Sequence, residues 1–362
     1  MDKRIVMALD AGGTNMVFSA IQDKKEIVPP VILPSEVNDI NKCLNMLVNG
    51  FEKVRDLLPE KPSAISFAFP GPADYEAGII GDLPNFPAFR GGVALGPFLK
   101  ARFQIPVFIN NDGNLFAYGE ATEGILPAIN KELLATGSSK CYRNLLGITL
   151  GTGFGAGVVI DGKLLVGDNG AGGDMWCFRN KRYPDCIAEE SVSIRAVKRV
   201  YTSLSGDNSN LTPKDIFEIA EGTRSGNQKA AIFSFEELGE MAGNAIAEAI
   251  TLIDGLVVIG GGLAGAGKYI LPALVRELKE PLQMMNGTCF ARLQMEPFNL
   301  EDPADRKKFL EKQCKQIRIP GTEQYVDYDP YKRIGVAISQ LGANRAIALG
   351  AYKFALNKLN EQ

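Results

Sequence analysis

The stretch LLGITLGTGFGAGVVI, residues 145–160, consists of an apolar run, a turn rich in alternating glycines and a second apolar run. Because glycine has no side chain, the backbone N–H groups of such a turn can come close to a bulky anion. Residues 5–21 repeat the arrangement as IVMAL, DAGGTN and MVFSAI. Two strand–turn–strand units predict two related half-domains that face each other across a cleft and hold a phosphate between the turns. Two ordinary β-hairpins with glycine-dependent turns are the alternative.

Length, charge and hydropathy limit the classes of function. The chain has 362 residues, more than one hydrophobic core usually accommodates, so two domains are expected. A net charge of −3 without a Lys/Arg cluster gives no electrostatic reason to expect nucleic acid. No uncharged apolar run reaches membrane-spanning length, and residues 1–10 enter a strand without a secretory signal. We therefore expect a cytoplasmic protein with no membrane or nucleic-acid partner.

The cysteine and histidine content restricts the chemistry. Six cysteines are scattered along the chain, and without an export signal they are expected to be reduced thiols. The chain has no histidine, which excludes an imidazole base and any zinc site that needs a histidine ligand.

Polar residues follow a buried strand at residues 106–112, PVFINND. This strand brings two asparagines and Asp112 to its carboxyl end, where ligands of α/β folds commonly bind. A helix is predicted over residues 113–126, and residues 127–144 are expected to be a polar, irregular surface segment. A second helix is predicted over residues 234–254, with Ser234 and Glu237 in capping-box positions.

A third glycine turn follows an apolar strand in GLVVIGGGLAGAGKY, residues 255–269. Gly260, Gly262 and Gly265 match the G-x-G-x-x-G pattern of dinucleotide folds, but the motif comes late in the chain and the following acidic residues are too near. Residues 262–268 match the start of a P-loop, but Tyr269 stands where the magnesium-binding hydroxyl is required. Both interpretations are weak.

One interpretation explains all three turns. The chain resembles the ROK family (repressors, open reading frames and kinases), which includes bacterial glucokinases and belongs to the sugar kinase, actin and heat-shock ATPase superfamily. The resemblance is carried, in the family's order, by ALDAGGTN (8–15), FPGPAD (69–74), LPNF (83–86), NND (110–112), GITLGTGFGAG (147–157), VVIGGG (257–262) and LGANRAIALGA (341–351).

The resemblance implies an α/β fold of two ribonuclease-H-like domains, as in actin-like ATPases, with a cleft between them. We expect residues 1–112 plus 341–362 to form the smaller domain and residues 113–340 the larger, with insertions near 127–144 and 281–331. It also implies an ATP-dependent hexose kinase that is similar to glucokinases. Members are commonly dimers or tetramers, so a homo-oligomer is possible.

Phosphoryl transfer requires positioning, charge neutralisation and a group that accepts the proton of the attacking hydroxyl. The resemblance implies that two glycine turns hold the ATP phosphates and that a third lies near the adenosine. Asp10, beside the phosphates, suits Mg²⁺ held through water. The residues of the three turns are Gly12, Gly13 and Thr14; Gly151, Thr152 and Gly153; and Gly260, Gly261 and Gly262.

Asp112 is the expected general base. In the family, the aspartate of the Asn-Asp pair accepts the sugar proton and the asparagine hydrogen-bonds the sugar, which carries over to Asp112 and Asn111. The alternative is an Asn-Asp turn that only caps the following helix. Asn85, in LPNF, can also reach the sugar by analogy, and a plain loop asparagine is the alternative.

The sugar-contact segment departs from the family pattern. Family kinases have Gly-Glu-x-Gly-His there, whereas this chain has Ala171 and Asp174 in place of the Glu and His. The family zinc loop is reduced to Cys177 and Cys186, so we expect no structural zinc. The later sugar-binding Glu corresponds to Glu189, with Glu190 as the alternative.

The altered segment suggests a different hexose, because a site built for particular hydroxyls discriminates strongly between sugars. It also suggests a second function, a catalytically weakened sugar-sensing protein of the family. The chain starts in the first kinase strand, which is evidence against a DNA-binding repressor. Asp112 and the three glycine turns favour an active enzyme.

Overall fold

The computed structural model describes residues 2–11, 15–36, 38–83 and 87–361. The strands are β1 Val6–Ala11, β2 Asn15–Gln22, β3 Lys25–Glu26, β4 Val31–Pro34, β5 Ala64–Ala68, β6 Ala73–Asp74, β7 Ile79–Ile80, β8 Val107–Asn110, β9 Leu145–Leu150, β10 Phe154–Ile160, β11 Lys163–Leu164, β12 Leu256–Gly260, β13 Pro281–Gln283, β14 Cys289–Ala291, β15 Glu296–Asn299, β16 Lys315–Arg318, β17 Tyr325–Tyr328 and β18 Arg333–Ile338. The helices are α1 Ile40–Leu57, α2 Leu95–Phe103, α3 Asp112–Thr122, α4 Ile125–Ala135, α5 Ile194–Ser205, α6 Pro213–Ala220, α7 Gln228–Ile253, α8 Gly267–Lys279, α9 Pro303–Leu310 and α10 Ala343–Asn360. Short 3-10 turns occur at Met175–Cys177, Ala188–Glu190 and Gly262–Ala266.

The chain divides into two units. Unit 1 comprises Met1–Glu123, Lys163–Gly173 and Leu341–Gln362, and unit 2 comprises Gly124–Gly162 and Asp174–Gln340. The expected boundary followed residue 112, whereas α3 and residues 163–173 belong to unit 1.

Unit 1 is built on a sheet with the strand order β3-β2-β1-β5-β8, and β4 pairs with β2. β1 and β2 form the predicted antiparallel hairpin, with Asp10 opposite Val17. β1, β5 and β8 are parallel, so their carboxyl ends lie at the same edge of the sheet. Side chains alternate between the two faces: Met7 and Leu9 join the core that contains Phe51, whereas Val6 and Ala8 contact Tyr352 of α10.

A close helix crossing explains why α3 belongs to unit 1. A Cβ atom on Gly119 of α3 would lie 1.9 Å from the carbonyl oxygen of Ala346 in α10, so only glycine permits this approach. Glu123, just after α3, also forms ion pairs with Lys24 at 2.7 Å and Lys353 at 2.9 Å. These contacts join α3 to residues that are distant in sequence.

Unit 2 repeats the same strand arrangement, in the order β10-β9-β12-β18-β15. Residues 145–160 form the predicted hairpin, in which Leu150 pairs with Phe154. β9, β12, β18 and β15 are parallel, so the glycine turns that follow β9 and β12 leave the same edge of the sheet. The core of the unit is apolar and is built from this sheet and the helices packed on it, α7 and α8 among them.

Two local predictions were wrong. Residues 127–144 are not irregular, because α4 runs from 125 to 135 and buries Ile129 and Leu133. The second helix starts six residues before the predicted position: α7 begins at 228 with Asn227 as its cap. Ser234 lies inside α7, and its hydroxyl donates to the carbonyl of Ala231 at 2.7 Å. Among the described helices, none combines the length and apolar character that crossing a bilayer requires.

Candidate active site

The first part of the candidate site is the carboxyl edge of the unit 1 sheet. Asp10 lies near the end of β1, and partial desolvation of its carboxyl raises the pKa of that group. It lines a cavity of about 260 Å³ together with Ser19, Glu26 and Arg345. The turn residues Gly12, Gly13 and Thr14 lie outside the described residues, as does Asn85.

The Asn-Asp pair lies where β8 ends and α3 begins. The Asn111 side chain caps α3 by accepting the backbone N–H of Asn114 at 2.6 Å. Buried Asn110 supports the turn, since its side-chain oxygen accepts the N–H of Asn111 at 2.9 Å and the amide of Asn114 at 3.0 Å. The capping role therefore belongs to Asn111.

Asp112 remains accessible at the first turn of α3. Its carboxylate accepts the adjacent N–H of Gly113 at 2.8 Å. The positive end of the helix dipole stabilises a negative charge at this position. An exposed carboxylate beside a buried asparagine network is suited to accepting a proton from a hydroxyl.

In unit 2, the turn after β9 is hydrogen-bonded to the side chain of Glu189. The N–H of Gly151 donates to the carbonyl of Gly153 at 3.1 Å, and Thr152 is exposed between them. One carboxylate oxygen of Glu189 accepts the N–H of Phe154 at 3.0 Å. The structure thus brings the expected sugar-binding Glu onto the predicted phosphate turn.

Arg195, which the sequence analysis did not single out, holds this arrangement together. Its guanidinium binds Glu189 at 2.9 Å and Glu190 at 2.7 Å, and lies 3.5 Å from the carbonyl of Thr152. The hydrogen bond from Arg195 lowers the pKa of Glu190. Glu190 also pairs with Arg199. Of the two glutamates, Glu189 is the one whose side chain contacts the turn. An acidic pair followed by arginine in the next helix turn was the available signal.

The third glycine turn packs against the second. Gly261 has a φ of +89°, and a Cβ atom there would lie 2.4 Å from the carbonyl oxygen of Leu150, so the position requires glycine. Leu150 directly precedes Gly151, which places the ends of β9 and β12 side by side. Gly260 ends β12, and Gly262 begins the 3-10 turn. Lys268 binds Glu221 at 2.6 Å, which does not fit a P-loop lysine.

The segment between Asp174 and Glu189 is held by Asn180. This buried side chain accepts the N–H groups of Arg182 and Tyr183, each at 3.0 Å, and donates to Ser191 Oγ at 2.8 Å and the carbonyl of Ile187 at 3.2 Å. Glu189 therefore lies between two residues that Asn180 fixes. Nothing in the local sequence pattern indicated this role.

Two cations attach the same segment to helices α7 and α8. Lys181 binds the buried carboxylate of Glu277 at 2.7 Å, and Arg182 pairs with Glu237 and Glu240. These ion pairs anchor the segment at the positions that follow Asn180.

Asp174 begins the second segment of unit 2 and is half-buried, and burial raises the pKa of its carboxyl. Its carbonyl accepts the thiol of Cys177 at 2.9 Å. Cys177 and Cys186 are exposed free thiols. Within the described ranges, no group of three or more metal-ligating side chains is assembled.

The sequence model of the ROK family matches residues 6–302. The chain belongs to the ROK family. A glucokinase of Thermotoga maritima is 26% identical over 295 residues, which cover 76% of this chain and 87% of the relative. An N-acetyl-D-glucosamine kinase of Photobacterium profundum is 28% identical over 275 residues, which cover 70% and 83%.

Solved structures agree with this assignment. The crystal structure of a glucokinase from Parabacteroides distasonis is 62% identical, has a TM-score of 0.91, and is matched over 98% of each chain. A ROK glucokinase from Streptomyces griseus, solved with glucose and AMPPNP, has a TM-score of 0.61 at 18% identity, with 96% of this chain and 98% of that chain covered. The mixed α/β fold is that of ROK sugar kinases.

Proposed function

We propose that this protein is an ATP-dependent hexose kinase that transfers the γ-phosphoryl group of ATP to a sugar hydroxyl. The observation that carries the proposal is the likeness to a glucokinase at 62% identity over 98% of the chain. The accessible carboxylate of Asp112 at the start of α3 supplies the chemistry that this reaction needs.

The nucleotide is assigned to the three glycine turns. In this proposal, the two units correspond to ribonuclease-H-like domains, and ATP and sugar bind in the cleft between them. Residues 12–14 and 151–153 hold the phosphates through backbone N–H groups, and residues 260–262 contact the adenosine. The packing of Gly261 against Leu150 supports the second and third of these assignments.

Mg²⁺ is assigned to Asp10. Magnesium in phosphoryl-transfer sites is commonly held by one or two carboxylates together with substrate phosphates, and an oxygen ligand at the end of β1 fits that pattern. Bound Mg²⁺ would neutralise charge on the phosphates. The chain itself then positions the sugar and accepts its proton.

Asp112 is the proposed general base, with Asn111 as a neighbouring sugar contact. The amide N–H₂ of Asn111 can donate to a sugar hydroxyl, because its oxygen is already used by the helix cap. Glu189 is favoured over Glu190 as a sugar contact, since Glu190 pairs with two arginines. Asp174 and Asn85 complete the proposed sugar site.

The proposal places the enzyme in the cytoplasm, where ATP is available, as a homo-oligomer without nucleic-acid or membrane partners. The hexose is expected to differ from glucose, or to be held differently, because of Ala171 and Asp174. Relatives named for glucose and for N-acetylglucosamine make these two sugars the first to test.

The test is ADP release with Mg²⁺-ATP against a panel of hexoses and N-acetylhexosamines. We expect sugar-dependent ADP release with one sugar preferred over the others. Binding of a sugar without turnover would instead favour the sugar-sensing function suggested by the altered segment. ADP release independent of sugar would overturn both.

A further inference from the structure

The hairpin β13–β14 projects from unit 2 with an uncharged, apolar surface. Residues 281–291, PLQMMNGTCFA, contain no charged residue, and all of them are exposed. Leu282 and Phe290 face each other across the two strands and are 56% and 55% exposed. Met285 at the hairpin tip is fully exposed. Soluble proteins usually protect such free strand edges with charges.

The hairpin β16–β17 is exposed in the same way. Ile317 and Val326 are cross-strand partners, and Tyr328 is exposed on the same face two residues further on. In the described part of the chain, each of the two hairpins pairs only with itself. An isolated two-stranded hairpin is marginally stable in water, so contact with another protein surface would stabilise both hairpins.

Both hairpins leave unit 2 at the same edge of its sheet. β14 ends shortly before β15, and β17 ends shortly before β18. β15 and β18 are adjacent parallel strands, with Glu296 opposite Arg333. The hydroxyl of Tyr331 donates to Glu296 at 2.8 Å and so joins the two roots. This edge is opposite to the one where β9 and β12 end in their glycine turns.

Arginines hold both roots firmly. Arg292 binds Glu277 at 2.8 Å and the side chain of Asn244 at 2.9 Å. Arg333 is fully buried, and its guanidinium donates to Phe309 O at 2.6 Å and to Asp329 at 3.1 Å. The exposed hairpins are therefore held in place before any partner binds, which reduces the entropy cost of association.

The exposed area matches one side of a standard protein interface. A large side chain buries about 200 Å² when fully covered, so a half-exposed one offers roughly 100 Å². Seven large hydrophobic side chains on the two hairpins, six half-exposed and one fully exposed, together offer roughly 800 Å², which is the usual share of one partner. They are Leu282, Met284, Met285, Phe290, Ile317, Val326 and Tyr328.

We propose that this hairpin surface, residues 281–291 and 315–328, is the interface through which two copies of this chain associate about a two-fold axis. A two-fold axis brings the same surface patch of both copies together, so a charged side chain near the axis would face the same charge on the other copy. The β13–β14 hairpin carries no charge and avoids that repulsion, and its free strand edges can pair with those of a second copy. The β16–β17 hairpin carries two positive and two negative side chains, of which Arg318 and Glu323 pair with each other. The inference names the surface of the homo-oligomer proposed above and does not depend on the kinase reaction.

The test is the double variant Leu282→Lys/Phe290→Glu, whose opposite charges face each other within the hairpin and preserve its pairing. The control is Leu57→Lys, which changes a leucine of similar exposure (52%) at the end of α1 in unit 1. Molar mass is measured by light scattering and sedimentation over a dilution series, against the 39.1 kDa of one chain.

We expect wild type and Leu57→Lys to have a multiple of the single-chain mass, and the double variant to have half of it or to dissociate at about 100-fold higher concentration. A monomeric wild type, or a double variant with the wild-type mass, would overturn the proposal. If the double variant does not fold, amide hydrogen exchange of the wild type decides. Protection of residues 281–291 that rises with protein concentration supports the interface, and concentration-independent exchange overturns it.

Discussion

Replacement of Asn180 by alanine tests whether the segment before α5 positions Glu189. The substitution removes four hydrogen bonds from a side chain that is only 2% exposed. Each is worth about 1 kcal/mol net, and leaving buried partners unsatisfied adds to the loss. We expect the free energy of unfolding to fall by about 3–5 kcal/mol. In a domain of about 150–250 residues, that corresponds to a decrease of roughly 6–20 °C in Tm.

The functional effect follows from the positions of the lost bonds. Ile187 and Ser191, which flank Glu189, both lose their bond to Asn180. The Glu189 side chain then keeps its contacts with Phe154 and Arg195, but the backbone on either side of it is no longer fixed by residue 180. Because about 1.4 kcal/mol corresponds to a factor of ten, we expect KM for the sugar to rise at least about tenfold. KM for ATP should change much less.

The assay combines thermal unfolding with steady-state kinetics in which sugar and ATP are varied separately. Asn130→Ala is the matched control, because Asn130 makes two 2.8 Å hydrogen bonds to the backbone of Tyr142, elsewhere in unit 2. It should lower Tm and leave KM for the sugar unchanged. Asn180→Asp keeps the acceptor oxygen but loses both donated bonds, to Ile187 and Ser191, so it should raise KM for the sugar as Asn180→Ala does.

Two results would refute the reasoning. If Asn180→Ala unfolds at the wild-type temperature, the hydrogen-bond estimate is wrong. If it loses stability but keeps the wild-type KM for sugar, as expected for Asn130→Ala, the segment does not position Glu189.

Three further predictions concern other parts of the chain. Asp112→Asn should lower kcat by about 10²–10⁴-fold while ATP still binds in calorimetry, and wild-type turnover would reject Asp112 as the base. Gly119→Ala should destabilise unit 1 by about 3 kcal/mol or more in urea unfolding, because the new methyl meets the carbonyl of Ala346; an unchanged midpoint would contradict that crossing. Burial raises the pKa of the Cys43 thiol from about 9 to about 11, so the fold favours its neutral form. The contribution of this thiol to the free energy of unfolding should therefore be constant below pH 9 and fall by about 2–3 kcal/mol as the pH rises to 11. Unfolding measured as a function of pH should show this loss for the wild type and not for Cys43→Ala.

Several elements could be predicted from short stretches of sequence. The hairpins at residues 5–21 and 145–160 follow from apolar runs broken by glycine, since both signals act within a few residues. The polar end of β8 and the helix after it follow for the same reason, and Asn111 caps that helix as the pattern allowed. The ROK family motifs are also local, which is why the family could be identified before the fold was known.

Long-range contacts were not predictable in this way. The assignment of α3 to unit 1 depends on Gly119 meeting Ala346, and these residues are more than two hundred positions apart. The helix α4 was missed because its polar residues obscured the buried Ile129 and Leu133. Asn180 carried no recognisable pattern, since three of its four partners are backbone groups. For Arg195 the nearby acidic pair was a signal, but its contact with the carbonyl of Thr152 was not predictable.

The sequence alone determined the two hairpins, the glycine turns that follow β9 and β12, and the acidic residue that follows β8, because backbone preference and apolar periodicity are properties of neighbouring residues. Only the tertiary structure decided that Glu189 contacts the 151–153 turn, that Gly261 packs against Leu150, and that both exposed hairpins leave the same sheet edge. Those outcomes depend on which segments, distant in sequence, pack against each other and bury their surfaces from water. Composition constrains that choice, but the order of residues along one short stretch does not specify it.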